Sequence, residues 1–188
     1  MAEIVLFHHE QGLTSGVLAF ADELRAGGHV VHTPDLYDGR TFTEFTDGIG
    51  HADEIGFGTL IERGRLAAED LPADVVYAGL SLGVMPAQML AQRRPGATGA
   101  LLLHSCVPLS EFGGTWPHGV PVQIHTMDHD EWGDVDIAHE FVETVEGAEL
   151  FLYPGDQHLF TDSSLPVYDE SAATVLRKRV LEFLATIG

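Results

Sequence analysis

Six short apolar runs, each followed by a longer stretch with helical or turn character, constrain this chain more than any other feature. They are EIVLFHH (3–9), HVVHTP (29–34), DVVYAG (74–79), GALLLHS (99–105), VPVQIHT (120–126) and AELFLYP (148–154). Such runs, alternating with segments of helical period, are the pattern of a mainly parallel sheet covered by helices on both faces. Helices are expected over 14–27, opened by Thr14 or Ser15 and closed at Gly27-Gly28, and over 82–94, stopping before Pro95-Gly96. A closing helix is expected over 168–187, with Val175, Leu176, Val180, Leu181, Phe183 and Leu184 as its apolar stripe. Residues 39–58 are rich in Gly, Thr and Phe without a clean period and are expected to form a loop or lid. At 188 residues and 45% apolar content the chain supplies one core, so a single domain over 1–188 is expected.

Charge narrows the partners. The sequence carries 29 acidic against 9 basic side chains, a formal net charge of −20, which repels nucleic acid and anionic membrane surfaces. A small neutral molecule is the better fit. Cys106 is the only cysteine, which excludes a disulfide framework and a cysteine-rich metal site and is consistent with a cytoplasmic protein. The amino-terminal stretch MAEIVLFHHE has neither a basic flank nor a long apolar run, and no segment approaches the length of a membrane span.

In an open α/β sheet, ligands gather beyond the carboxyl ends of the strands. The polar residues of this chain collect there: His8, His9 and Glu10 after the first run, Asp35 and Tyr37 after the second, Ser81 after the third, Asp128 to Glu131 after the fifth, Asp156 to His158 after the sixth. Gly79-Leu80-Ser81-Leu82-Gly83 matches G-x-S-x-G, a strand-to-helix turn that lifts a serine hydroxyl above a sheet. A strand candidate precedes it and a helix candidate begins inside it, aiming backbone amides at the serine. Serine is a poor nucleophile without a base, so an acid and a histidine should follow in that order. His158 in YPGDQHLF meets the second requirement, and HTMDHDEWGD offers Asp128, Asp130 and Glu131 for the first. Position alone does not rank Asp128 against Asp130.

At this point the chain resembles the dienelactone hydrolases of the α/β-hydrolase superfamily over nearly its full length. The resemblance is carried by HHEQGL (8–13), TPDLYDGR (33–40), GLSLGV (79–84) and GDQHLFTDSSLPVYDESAA (155–173). It implies the α/β-hydrolase fold, Ser81 as nucleophile, His158 as base and Asp130 as acid, with Asp128 in reserve. It also implies an oxyanion hole from the backbone amides of Leu82 and Gln11, and a substrate pocket at Glu10 and Tyr37. Familiar members carry cysteine where Ser81 stands, with the glutamate against the resting thiol. Members that bind a substrate carboxylate carry arginine four residues after the histidine, where this chain has Asp162. Asp162 is therefore expected to repel anionic lactones and favour neutral substrates.

The expected activity is hydrolysis of a small neutral ester or lactone through an acyl-enzyme, with no metal and no organic cofactor. Its partner would be that substrate, with neither nucleic acid nor membrane, and a homodimer stays open. The rival from another class is a non-catalytic binding or sensor protein of the same fold. Histidines 8, 9, 125 and 129 show no recognised ligand spacing and are read as packing or loop residues. Phe42, Phe45 and Phe57 are read as a satellite hydrophobic cluster.

Overall fold

The computed structural model describes residues 1–187. Each of the six apolar runs contains a strand: β1 (Glu3–Phe7), β2 (Val30–His32), β3 (Val76–Leu80), β4 (Gly99–Leu103), β5 (Val122–Met127) and β6 (Glu149–Tyr153). They form one sheet in the order β2-β1-β3-β4-β5-β6, and every neighbouring pair is parallel. The helices are α1 (Ser15–Ala26), α2 (Phe45–Ile55), α3 (Phe57–Ala67), α4 (Val84–Arg93), α5 (Val135–Thr144) and α6 (Glu170–Ile187).

Alternation along the strands builds two cores. Val5, Phe7, Tyr77, Leu102 and Ile124 face one way and pack under α2 to α5 through Ala52, Leu60, Ala87, Leu90 and Phe141. Ile4, Leu6, Val76, Leu101 and Leu103 face the other way, against Phe20 and Leu24 of α1 and Leu176, Val180 and Phe183 of α6. Because both faces are covered, the strands read as continuous apolar runs. The Thr14 hydroxyl caps α1 by accepting the Val17 amide at 3.2 Å, as its position suggests.

The expected loop over 39–58 is mostly helix. α2 fills most of it and α3 begins before its end. Glycines at 48, 50, 56 and 58 dilute the helical period there. Gly48 has a steric reason to be glycine, since a Cβ on it would stand 2.3 Å from the backbone oxygen of Glu10. The residue that obscures the helix in the sequence is the one that lets α2 lie against the loop after β1.

The sheet order places the site. From β1 the chain winds outward to β2, then returns across β1 to β3, so successive connections leave the strands in opposite directions between β1 and β3. At that crevice, beyond the carboxyl ends, stand Glu10 and Ser81.

Candidate active site

Ser81 directly follows β3 with a φ of 47°, in the left-handed region that costs a non-glycine residue strain. The flanking glycines make the turn possible. A Cβ on Gly79 would lie 2.2 Å from Gly83 O, and one on Gly83 would lie 2.3 Å from Phe7 O. A short 3₁₀ turn, Ser81–Gly83, leads into α4, so the Leu82 amide belongs to a helix opening that supplies no intrahelical acceptor.

The Ser81 hydroxyl lies 2.6 Å from His158 Nε2, and His158 Nδ1 lies 2.7 Å from Asp130 Oδ2. Asp130 Oδ1 accepts the Trp132 amide at 2.9 Å, which fixes the carboxylate against the ring. The two sequence candidates for the acid are thus separated by geometry. Asp128 instead accepts the Gly155 amide at 3.0 Å and pairs with His129 at 2.7 Å. Those contacts, the Gly155 amide foremost, lower its pKa.

Glu10 Oε1 is 2.7 Å from Ser81 Oγ, a second partner for the hydroxyl beside the imidazole. Its Oε2 is buried without a partner among the described residues. Gln11 braces this loop. Its side-chain amide donates to Phe42 O at 3.0 Å and Thr43 O at 2.8 Å, while its own carbonyl accepts from Phe42 N. Its backbone N–H, expected to face an oxyanion, donates at rest to His9 Nδ1 at 3.2 Å.

Two expectations need correction. Tyr37, expected in the substrate pocket, is fully buried, with its hydroxyl on Gly48 O and its ring edge-on to His8 and His51. Burial, with Glu10 nearby, raises its pKa, so it stays a neutral phenol that supports α2 from below. Asp162, expected to confront substrate charge, is 2% exposed and bonded to His9, Thr14 and Ser164. It is spent on structure, so the repulsion argument drawn from it fails.

Residues given no catalytic role in the sequence also shape the site. Phe45, on the first turn of α2, sits edge-on to His158 with ring centroids 5.3 Å apart and to Trp132 at 5.2 Å. Ser81 and Asp130 are only 6% and 5% exposed beneath this cover. His104 directly follows β4 at a φ of 69°, its Nε2 2.7 Å from the Thr161 hydroxyl and its ring against His158. Complete burial drives its pKa well down, so it is a neutral wall that does not compete for the proton. Cavities of about 480 and 270 Å³ lie between the 108–119 segment and α5, and none of their lining residues belongs to the site. Among the described residues no group of three or more His, Cys, Asp or Glu side chains is placed to hold a metal, and no helix is long and apolar enough to cross a membrane.

Comparison with known proteins agrees with this fold. The model of the dienelactone hydrolase family matches residues 1–188. No curated protein sequence matches the chain. A dienelactone hydrolase-like promiscuous phosphotriesterase from metagenomic libraries superposes with a TM-score of 0.77 at 17% identity, covering 100% of this chain and 87% of the other. The dienelactone hydrolase of Anabaena variabilis gives 0.71 at 18% identity, covering 99% and 87%. Mouse alpha/beta hydrolase domain-containing protein 10 gives 0.71 at 12% identity, covering 99% and 90%. At these identities the solved structures speak for the α/β-hydrolase fold, and the full-length family match carries the assignment: the chain belongs to the dienelactone hydrolase family and is a hydrolase of the ester and lactone class.

Proposed function

We propose that this hydrolase cleaves a small neutral ester or lactone through an acyl-enzyme on Ser81. The observation that carries the reading is the continuous chain from Ser81 Oγ through His158 to Asp130, at 2.6 and 2.7 Å. Ser81 Oγ attacks the carbonyl carbon while its proton passes to His158 Nε2. Asp130 keeps the other ring proton on Nδ1 and stabilises the imidazolium. The carbonyl oxygen, now anionic, is met by the Leu82 amide and by the Gln11 amide, which turns part of its hydrogen bond from His9. The intermediate collapses, His158 gives its proton to the departing alkoxide, and water repeats the sequence to release the acid.

Glu10 enters through proton counting. Ser81 has one hydroxyl proton and two partners, Glu10 Oε1 at 2.7 Å and His158 Nε2 at 2.6 Å. The proton therefore goes to one partner at a time: Ser81 can donate it to Glu10 at rest, and in attack it passes to His158.

Preference for neutral substrates now rests on the surrounding charge. No Arg or Lys forms an ion pair or hydrogen bond with Glu10, Ser81, Asp130 or His158 among the described residues, in a chain of net charge −20. A substrate carboxylate would find no cation already held against these four side chains. The test is a panel of size-matched neutral and anionic esters, run beside labelling with a fluorophosphonate probe. Stoichiometric labelling at Ser81 with turnover of the neutral members supports the proposal. Turnover of the anionic members at equal kcat/KM would reject the substrate class.

A further inference from the structure

Asp162 follows His158 by four residues, yet it enters a buried cluster at the start of α1. Its Oδ2 accepts from His9 Nε2 at 2.8 Å and from the Thr14 hydroxyl, while its Oδ1 accepts the Ser164 amide at 2.8 Å and hydroxyl at 2.6 Å. The fold leaves room for this carboxylate: a Cβ on Gly16 would stand 1.6 Å from Asp162 Oδ1. Burial opposes ionisation, but the hydrogen bonds from His9, Ser164 and Thr14 outweigh it and hold the carboxyl down at about 2. An ionised Asp162 places the proton of His9 on Nε2 and leaves Nδ1 a bare acceptor. That acceptor takes the Gln11 N–H at 3.2 Å.

We propose that His9 and Asp162 are positioning residues for the oxyanion hole, acting through the Gln11 amide. The proposal rests on the reading of Ser81 as nucleophile and Gln11 as donor. Asp162 fixes the tautomer of His9, His9 fixes the direction of the Gln11 N–H, and Asp162 itself belongs to the loop that carries His158. Two loops whose joining residues stand 153 positions apart are thereby aligned as one unit. At 3.2 Å the bond to His9 is at the long end of the normal range, so its hydrogen can be shared with a nearby charged acceptor. The developing oxyanion is such an acceptor, and it exists only in the transition state. Neither His9 nor Asp162 touches substrate, so the couple should act on kcat and leave KM in place.

His9→Leu and His9→Asn test this as a pair. Both leave Asp162 without its imidazole, so any loss of stability is common to them. Asparagine alone sets an oxygen one bond beyond Cγ, where Nδ1 stood, and can accept an amide two residues on. His9→Leu should lower kcat roughly ten- to a hundredfold with KM within about twofold, since losing an oxyanion donor outright costs about a hundred- to a thousandfold. His9→Asn should recover kcat to within about fivefold of wild type. If His9→Leu does not fold, Asp162→Asn, which frees the wrong tautomer, should lower kcat about tenfold or more at unchanged KM. Equal kcat in the two His9 variants, or wild-type kcat in Asp162→Asn, overturns the proposal. Ser81→Ala in the same assay separates the two readings: retained turnover there removes the nucleophile itself, whereas an inactive Ser81→Ala beside a wild-type His9→Leu removes only the positioning role.

Discussion

Ser81, Asp130 and Glu10 each make a contact that one substitution can isolate. Asp130 sets the His158 tautomer from 2.7 Å, and an orienting carboxylate of this kind is worth up to about four orders of magnitude in turnover. Asp130→Asn should therefore lose roughly a thousandfold or more in kcat, whereas Asp128→Asn, which disturbs only the Gly155 and His129 contacts, should lose less than about tenfold. The reverse order in a steady-state assay would move the acid role to Asp128. Glu10→Gln puts a permanent N–H donor beside Ser81 Oγ and frees the hydroxyl proton for His158. Its kcat should stay at or above about a third of wild type, and a drop of a hundredfold would show that turnover needs the carboxyl group itself. Asp130 was set ahead of Asp128 only by the family resemblance, whereas Ser81 and His158 were open to sequence reading because their order follows the strand ends. Asp162 was not, because the partner that defines it, His9, lies 153 positions away.

At the level of elements, the strands were legible and part of the helical layer was not. A strand buried on both faces writes its own signature in β-branched runs, and all six runs hold strands. The α2 signature is erased by the glycine that its function demands. Gly48 and Gly50 make the contrast testable. A Cβ on Gly48 meets Glu10 O at 2.3 Å, while one on Gly50 meets nothing within 4 Å. Gly48→Ala should displace α2 or the Glu10 loop, lowering kcat at least about tenfold and stability by about 1–3 kcal/mol. Gly50→Ala should leave activity intact and raise stability by up to about 1 kcal/mol. Thermal melts and kinetics on the two proteins decide it, and equal behaviour would detach α2 from the site. Tyr37 is the related misreading: the turn that carries it was recognised, but its ring packs inward under α2, a direction no spacing reveals.

The whole molecule carries an acid liability in its buried histidines. Burial lowers His8 to about 4 and His125 to about 3, and burial drives His104 well down as well. Each therefore stays neutral in the fold while the unfolded chain takes up protons below the ordinary histidine value near 6.5. Stability contributed by the neutral forms is complete above that value and is lost as the pH falls from about 6.5 toward the folded values. The loss approaches about 1.4 kcal/mol per histidine for each pH unit in that window. Asp162 runs with the same sign but later, its share disappearing only between about pH 4 and about 2. The melting temperature should thus fall steeply between pH 6.5 and 5, and a flat profile there would show these histidines to be solvated. The central claim, an ester bond broken through Ser81, has a more direct test. A neutral activated ester, quenched in acid within the first turnovers and digested for mass spectrometry, should leave its acyl group on the Ser81 peptide of the wild type and on no peptide of Ser81→Ala, which should also be inactive. Hydrolysis that persists in Ser81→Ala, or an acyl group found on another residue, would contradict the account.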